Sequence, residues 1–131
     1  MEHLLRLHVL ASGSKGNASI VEGPEASILI DCGISYRELV HRATTQNVDL
    51  RRIAALLLTH EHTDHTKGIK TWCKHFNGTL LSTSATVKAC DLISKLPFIA
   101  INHSSRFTLA GMQIQTFPIS HDVADPIGFR I

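Results

Sequence analysis

The segment IAALLLTHEHTDHTKG, residues 53–68, constrains the fold more than any other part of the chain. Residues 53–58 are apolar with no polar alternation, the pattern of a strand buried on both faces. A helix is the competing reading, but it would be short and would end in a polar cluster. Three histidines and an aspartate follow at once: His60, His62, Asp64 and His65, with Glu61 between the first two. The chain must therefore cover this strand on both sides. It must also end the strand where side chains converge on a crevice, as open α/β sheets do at ligand sites.

The surrounding pattern supplies that cover. Leu4–Ala11 reads as a strand, SGSKGN as a turn flanked by Gly13 and Gly16, and Ala18–Glu22 as the return strand. Residues 26–32, ASILIDC, form a third, so the opening is an antiparallel meander. Ser35 and Glu38 have capping-box spacing ahead of a helix whose buried stripe would be Leu39, Val40 and Ala43. After the histidines, Thr66–Phe76 can form a helix stopped by Asn77-Gly78. Leu80–Ser82 is a short strand, and a helix from Ser84 would run to about Leu96 before Pro97. Phe98–Ile101, Arg106–Leu109 and Met112–Phe117 are further strands, with Ala110-Gly111 a tight turn, and PIGFRI begins another. The class is mixed α/β, in about one domain's worth of chain.

Composition excludes several functions. A charged fraction of 18% against 44% hydrophobic residues is a globular balance. A net charge of +2 does not diagnose nucleic-acid binding. Arg6 and His8 interrupt the first apolar stretch, which argues against a signal peptide, and no run approaches a membrane span. A cytoplasmic protein with no membrane partner is expected. Cys32, Cys73 and Cys90 are scattered, without a C-x-x-C pair, and read as small packing residues.

Imidazole and carboxylate are ligands for zinc and similar divalent ions. His60 and His62, two apart in a tight loop, can face one ion, and Asp64 and His65 a neighbouring one. His121, in FPISHD, also follows a strand, so two strand ends each present histidine. With nitrogen and oxygen donors, zinc, manganese and iron are all chemically suitable.

THEHTDH resembles the H-x-H-x-D-H signature of the metallo-β-lactamase superfamily. ILIDCG, with Asp31, and PISHD extend the resemblance along essentially the whole chain. LASGSKGNASIVEG and SHDVADPIGF are similar to the YycJ/WalJ-type, exonuclease-like subgroup. The resemblance implies a four-layer αβ/βα sandwich, of which residues 1–131 would be the N-terminal part. It implies that His60, His62 and His121 hold one ion and that Asp64 and His65 contribute to a second, with Asp64 also helping to orient the nucleophile. Asp31 would orient the ligand loop by hydrogen bonds from behind. The activity implied is a metal-dependent phosphodiesterase, a DNA exonuclease in which two ions generate hydroxide from water. The bridging aspartate and last histidine of such sites would lie beyond Ile131, because Asp122 and Asp125 sit too close to His121. A half-fold of this kind would bind metal weakly, show little nuclease activity and expose an apolar face open to self-association.

Other functions stay open. One fold hosts many reactions, so a small-ester, thioester or lactam hydrolase is the alternative, as is a metal-binding fragment without catalysis. Ser14, Lys15 and Asn17 could touch a substrate phosphate, Lys15 foremost, although the same residues are ordinary turn chemistry. Arg51-Arg52 and Lys67, Lys70 and Lys74 could flank a nucleic-acid groove, but a solvated face is the better reading. The remaining histidines fit no ligand spacing, and Trp72 belongs to a helix core.

Overall fold

A computed structural model describes residues 5–76, 78–120 and 124–131. The opening meander forms as expected. β1 (Arg6–Ala11), β2 (Ala18–Glu22) and β3 (Ser27–Ile30) pair antiparallel in sequence order. The chain then crosses through α1 (Tyr36–Thr45) and a 3-10 turn, Leu50–Arg52, into β4 (Ile53–Leu57), which lies parallel to β3. Two short helical pieces follow, α2 (Thr63–Thr66) and α3 (Ile69–Phe76), ahead of β5 (Thr79–Ser82). α4 (Ser84–Lys88) leads through turns to the two-residue β6 (Ile99–Ala100). The large sheet has the order β1-β2-β3-β4-β5-β6. A second, antiparallel sheet of β7 (Arg106–Leu109), β8 (Met112–Pro118) and β9 (Ile127–Arg130) packs beside it.

Strand period explains the layering, since alternate residues face opposite sides. In β4, Leu56 faces the helix side, joined by Leu58 just beyond, and packs with Leu39, Ile69 and Trp72, while Ile53 joins the same core from ahead of a register shift against β3. Ala55 and Leu57 face the small sheet and pack with Met112 and Ile114. Leu56, Leu57 and Leu58 are all fully buried, which is why the run carries no polar alternation. Helices, large sheet and small sheet thus form three layers, with the apolar strand β4 in the middle.

The helical expectations need correction. The helix after the histidines does not run unbroken over Thr66–Phe76 but splits at Lys67-Gly68. A Cβ on Gly68 would lie 2.1 Å from the Ile34 carbonyl oxygen, so the chain must pass there as glycine. The helix from Ser84 ends at Lys88 rather than near Leu96, and Thr83 caps it. Cys90, Ile93 and Leu96 instead link in successive turns, which bury Cys90 and Ile93 without a continuous helix. Ser35 caps α1 by accepting from the Glu38 N–H, but the Glu38 carboxylate turns to Arg42 at 2.8 Å. In α1 Leu39 and Ala43 are buried, while Val40 is exposed.

Candidate metal centre

The histidine loop begins where β4 ends and is held from behind by the residues after β3. Asp31 sits at φ 58, a left-handed conformation that aspartate tolerates better than most side chains. This turn aims its carboxylate back at the loop. Oδ1 accepts the Thr59 N–H at 2.8 Å, and Oδ2 accepts the Thr59 hydroxyl at 2.8 Å. His65 Nδ1 lies 2.6 Å from the same Oδ2. Because a carboxylate only accepts, His65 carries its proton on Nδ1 and presents Nε2 as the lone-pair end. The Thr59 hydroxyl, having given its proton to Asp31, accepts from His60 Nδ1 at 2.8 Å. One buried carboxylate therefore sets the tautomer of two histidines, directly for His65 and through Thr59 for His60.

The ring positions follow. The centroid of His60 lies 3.9 Å from that of His65 and 5.0 Å from that of His62. His62 is the N-cap of α2, whose single turn carries Asp64 and His65. Its carbonyl accepts from the His65 N–H at 2.9 Å and from the Thr66 hydroxyl at 3.1 Å, which fixes the turn. His65 Nε2 and Asp64 Oδ2 are 3.5 Å apart. Burial lowers the proton affinity of His65, but the hydrogen bond to Asp31 and the negative charges of Asp31 and Asp64 outweigh it. The net effect holds its pKa above the ordinary 6.5.

The backbone is clamped just as tightly. Asn17 N–H donates to the Asp64 carbonyl at 2.7 Å, Cys32 N–H to the His65 carbonyl at 2.9 Å, and Gly68 N–H to the Cys32 carbonyl at 2.8 Å. A Cβ on Gly33 would fall 1.6 Å from the Asp64 carbonyl oxygen, so only glycine allows this contact. Cys32 is buried in the same place, and burial pushes its thiol up to about 12, which keeps it a packing group. All three cysteines are free.

His60, His62, Asp64 and His65 are thus brought together, with Asp31 behind them. His121 and Asp122 lie outside the described residues. The neighbouring chain is docked against the loop. Ala124 N–H donates to Glu61 Oε2 at 3.1 Å, Ile127 N–H to the Thr59 carbonyl at 3.0 Å, and Thr83 and Thr86 hydroxyls donate to the Asp125 carbonyl. The donor set suits a divalent ion, since neutral imidazoles with Nδ1 engaged by a carboxylate or hydroxyl are the form such ligands take. Among the described residues, however, no three histidine, cysteine or carboxylate side chains converge into a finished ion site.

Other candidates separate from this cluster. Ser14 and Lys15 are exposed on their turn, whereas Asn17 is drawn into the cluster. Arg51 pairs with Asp49, and Arg52 donates to the Gly23 carbonyl, so neither is a loose cation awaiting phosphate. Lys67, Lys70 and Lys74 are exposed. A concavity of about 630 Å³ is lined by small-sheet residues including Arg106, Gln115 and Arg130 and contains none of the histidines. Donor chemistry, rather than concavity, marks the site. Sequence reasoning passed over Thr59, whose only signal was a hydroxyl between the apolar run and the first histidine.

This fold and loop define a class. The family model of the metallo-beta-lactamase superfamily matches residues 11–88, and the chain belongs to that superfamily of metal-dependent hydrolases. The chain is similar to exodeoxyribonuclease YycJ of Bacillus anthracis, at 30% identity over 128 residues, 94% of this chain and 48% of the relative. Exodeoxyribonuclease WalJ of Streptococcus pneumoniae serotype 2 is 27% identical over 93% of this chain and 48% of its own length. Ribonuclease J 1 of Streptococcus pyogenes is 27% identical over 94% of this chain and 25% of its own length. Among solved structures, the Rm3 metallo-beta-lactamase superposes with a TM-score of 0.77 at 14% identity, over 94% of this chain and 52% of that one. For the SMB-1 metallo-beta-lactamase the TM-score is 0.75 at 19% identity, over 94% and 54%. The chain spans about half the length of the YycJ and WalJ relatives. No helix among the described residues is long and apolar enough to cross a membrane.

Proposed function

We propose that residues 1–131 are the N-terminal part of a metal-dependent phosphodiesterase that acts on DNA, an exonuclease of cytoplasmic location. The observation that carries this reading is the Asp31 network, which directs His60 and His65 by their Nδ1 atoms into one cluster with His62 and Asp64. The similarity to two exodeoxyribonucleases and to ribonuclease J 1 supports a nucleic-acid substrate. In this reading His60, His62 and His121 hold one ion, and Asp64 and His65 hold part of a second. Zinc and manganese both suit the donors, and iron is chemically possible. Bound ions would supply water activation and Lewis-acid charge for the phosphate oxygens. The chain's own residues set the stage: Asp31 and Thr59 fix ring orientation, and Asp64 orients the attacking water. Lys15, exposed on the first turn, is a candidate phosphate contact.

The chain exposes an apolar surface that fits self-association. Leu7 pairs with Val21 and Ile99 with Leu81, so each shares its partner's face, the one toward the small sheet. Leu7 is 64% exposed and Ile99 54%, because three strands cannot cover six.

A panel of double-stranded DNA, single-stranded DNA, bis-p-nitrophenyl phosphate and a thioester, each run with chelator and with metal restored, tests the reading. The 131-residue chain and a version extended at its C-terminus should be compared. Metal-dependent release of nucleotides by the extended chain is expected, with little turnover by the shorter one. Thioester hydrolysis without DNA cleavage would replace the nuclease reading with the small-ester alternative.

A further inference from the structure

Asn17 stands 47 residues from Asp64 in sequence and against it in space. Its carboxamide closes the first hairpin turn, with Oδ1 accepting the Gly13 N–H at 3.1 Å and Nδ2 donating to the Gly13 carbonyl at 2.8 Å. The same Nδ2 lies 3.2 Å from the Asp64 carbonyl, 3.2 Å from Asp64 Oδ2 and 3.2 Å from His65 Nε2. The backbone is committed too: Asn17 N–H donates to the Asp64 carbonyl, and the Asn17 carbonyl accepts from Gly33 N–H at 2.8 Å. An amide nitrogen has two protons. One serves Gly13, and the other is shared among Asp64 and His65.

We infer that Asn17 is a positioning residue for Asp64 and His65, and not a contact for substrate. This rests on the metal-hydrolase reading above. Without the amide, the Asp64 side chain is free to rotate toward solvent, since it is only partly buried. With it, Oδ2 is pinned beside the His65 ring. The contact to His65 Nε2 fits the same role, because Nδ1 is already engaged by Asp31 and Nε2 is the end that needs a donor until an ion arrives. Ion binding would exchange that contact and keep the one to Asp64. A hydrogen bond to a carboxylate is roughly twice as strong as one to a neutral acceptor, so the retained bond outweighs the one given up. The first hairpin turn is therefore a latch on the ligand loop, with Ser14 and Lys15 left exposed.

The experiment is calorimetric titration of the chain with zinc chloride and with manganese chloride. Wild type, Asn17→Ala, Asp64→Asn and the double variant are compared, with thermal unfolding of each metal-free protein alongside. Asn17→Ala should weaken metal affinity by about tenfold or more, the range seen when groups supporting metal ligands are removed. In the Asp64→Asn background the same change should cost under about threefold, because the two residues act through one another. Ser14→Ala should leave the affinity unchanged. If Asn17→Ala fails to fold, Asn17→Ser can still meet the Gly13 N–H but is too short to reach Asp64, and the same loss is expected. Unaltered affinity in the alanine or serine variant, or an equal loss with and without Asp64, overturns the inference and leaves the metal reading standing. A wild-type chain that binds neither ion overturns both.

Discussion

The two faces of the large sheet differ in how completely they are closed. The helix side is shut: Leu10, Ile20, Leu29, Leu39, Leu56, Ile69 and Trp72 are at most 3% exposed. The histidine loop grows directly out of this core, since Cys32, Ile34 and Ile69 belong to it and flank the loop. The small-sheet side is closed only at its centre, around Ile28, Ala55, Leu57, Met112 and Ile114. At its edges Leu7, Val9 and Ile99 remain exposed. The histidine loop is therefore built on the closed face, while the other face leaves apolar side chains uncovered at its edges.

The sharpest way to break the finished side is Gly33→Ala. With 1.6 Å between the new Cβ and the Asp64 carbonyl oxygen, the loop cannot keep its place. Loss of soluble folded protein, or of metal binding in whatever folds, is expected by circular dichroism and metal titration. Next in size is Leu56→Ala, at a fully buried position, which should cost about 2–5 kcal/mol in urea unfolding. Leu7→Ala, on the open side, should shift stability by no more than about 0.5 kcal/mol. Equal costs at the two positions would erase the contrast between the faces. The double change Leu7→Glu with Val9→Glu should leave stability nearly unaltered but reduce the sedimentation coefficient at high concentration, if the open face associates.

Much of this contrast could be read in advance, and the reasons are specific. The run over residues 53–58 announced a doubly buried strand because each of its faces meets an apolar layer. The Ala110-Gly111 turn, where both residues take positive φ, likewise marked the β7–β8 hairpin. The clustering of His60, His62, Asp64 and His65 was visible because metal-capable residues are rare at such density. What stayed hidden was tertiary. Nothing in SGSKGN distinguishes an asparagine that closes a turn from one that also holds an aspartate 47 residues away. The split falls at Gly68, where a Cβ would lie 2.1 Å from the Ile34 carbonyl oxygen, a close approach that sequence period does not record. The early end of α4 likewise reflects burial of Cys90 and Ile93 by turns, where helical spacing alone suggested continuation.

A smaller effect carries a diagnostic sign. His65 has its pKa raised in the folded chain, so in the metal-free protein its stabilising contribution is full below 6.5 and is lost as pH rises through the higher folded value. Urea midpoints of wild type minus those of His65→Gln should therefore decline across that window. Metal affinity should run the other way, falling as pH drops, because a proton and an ion compete for the same ring. Parallel trends would mean that His65 is not a ligand.

The most direct measurement is zinc titration of the wild-type chain against His60→Ala with His62→Ala, at pH 7.5 by calorimetry. Saturable binding by the wild type, lost or weakened by about a hundredfold or more in the double variant, is expected of a loop prebuilt to hold an ion. Binding that is absent in the wild type, or unchanged without the two histidines, would contradict it.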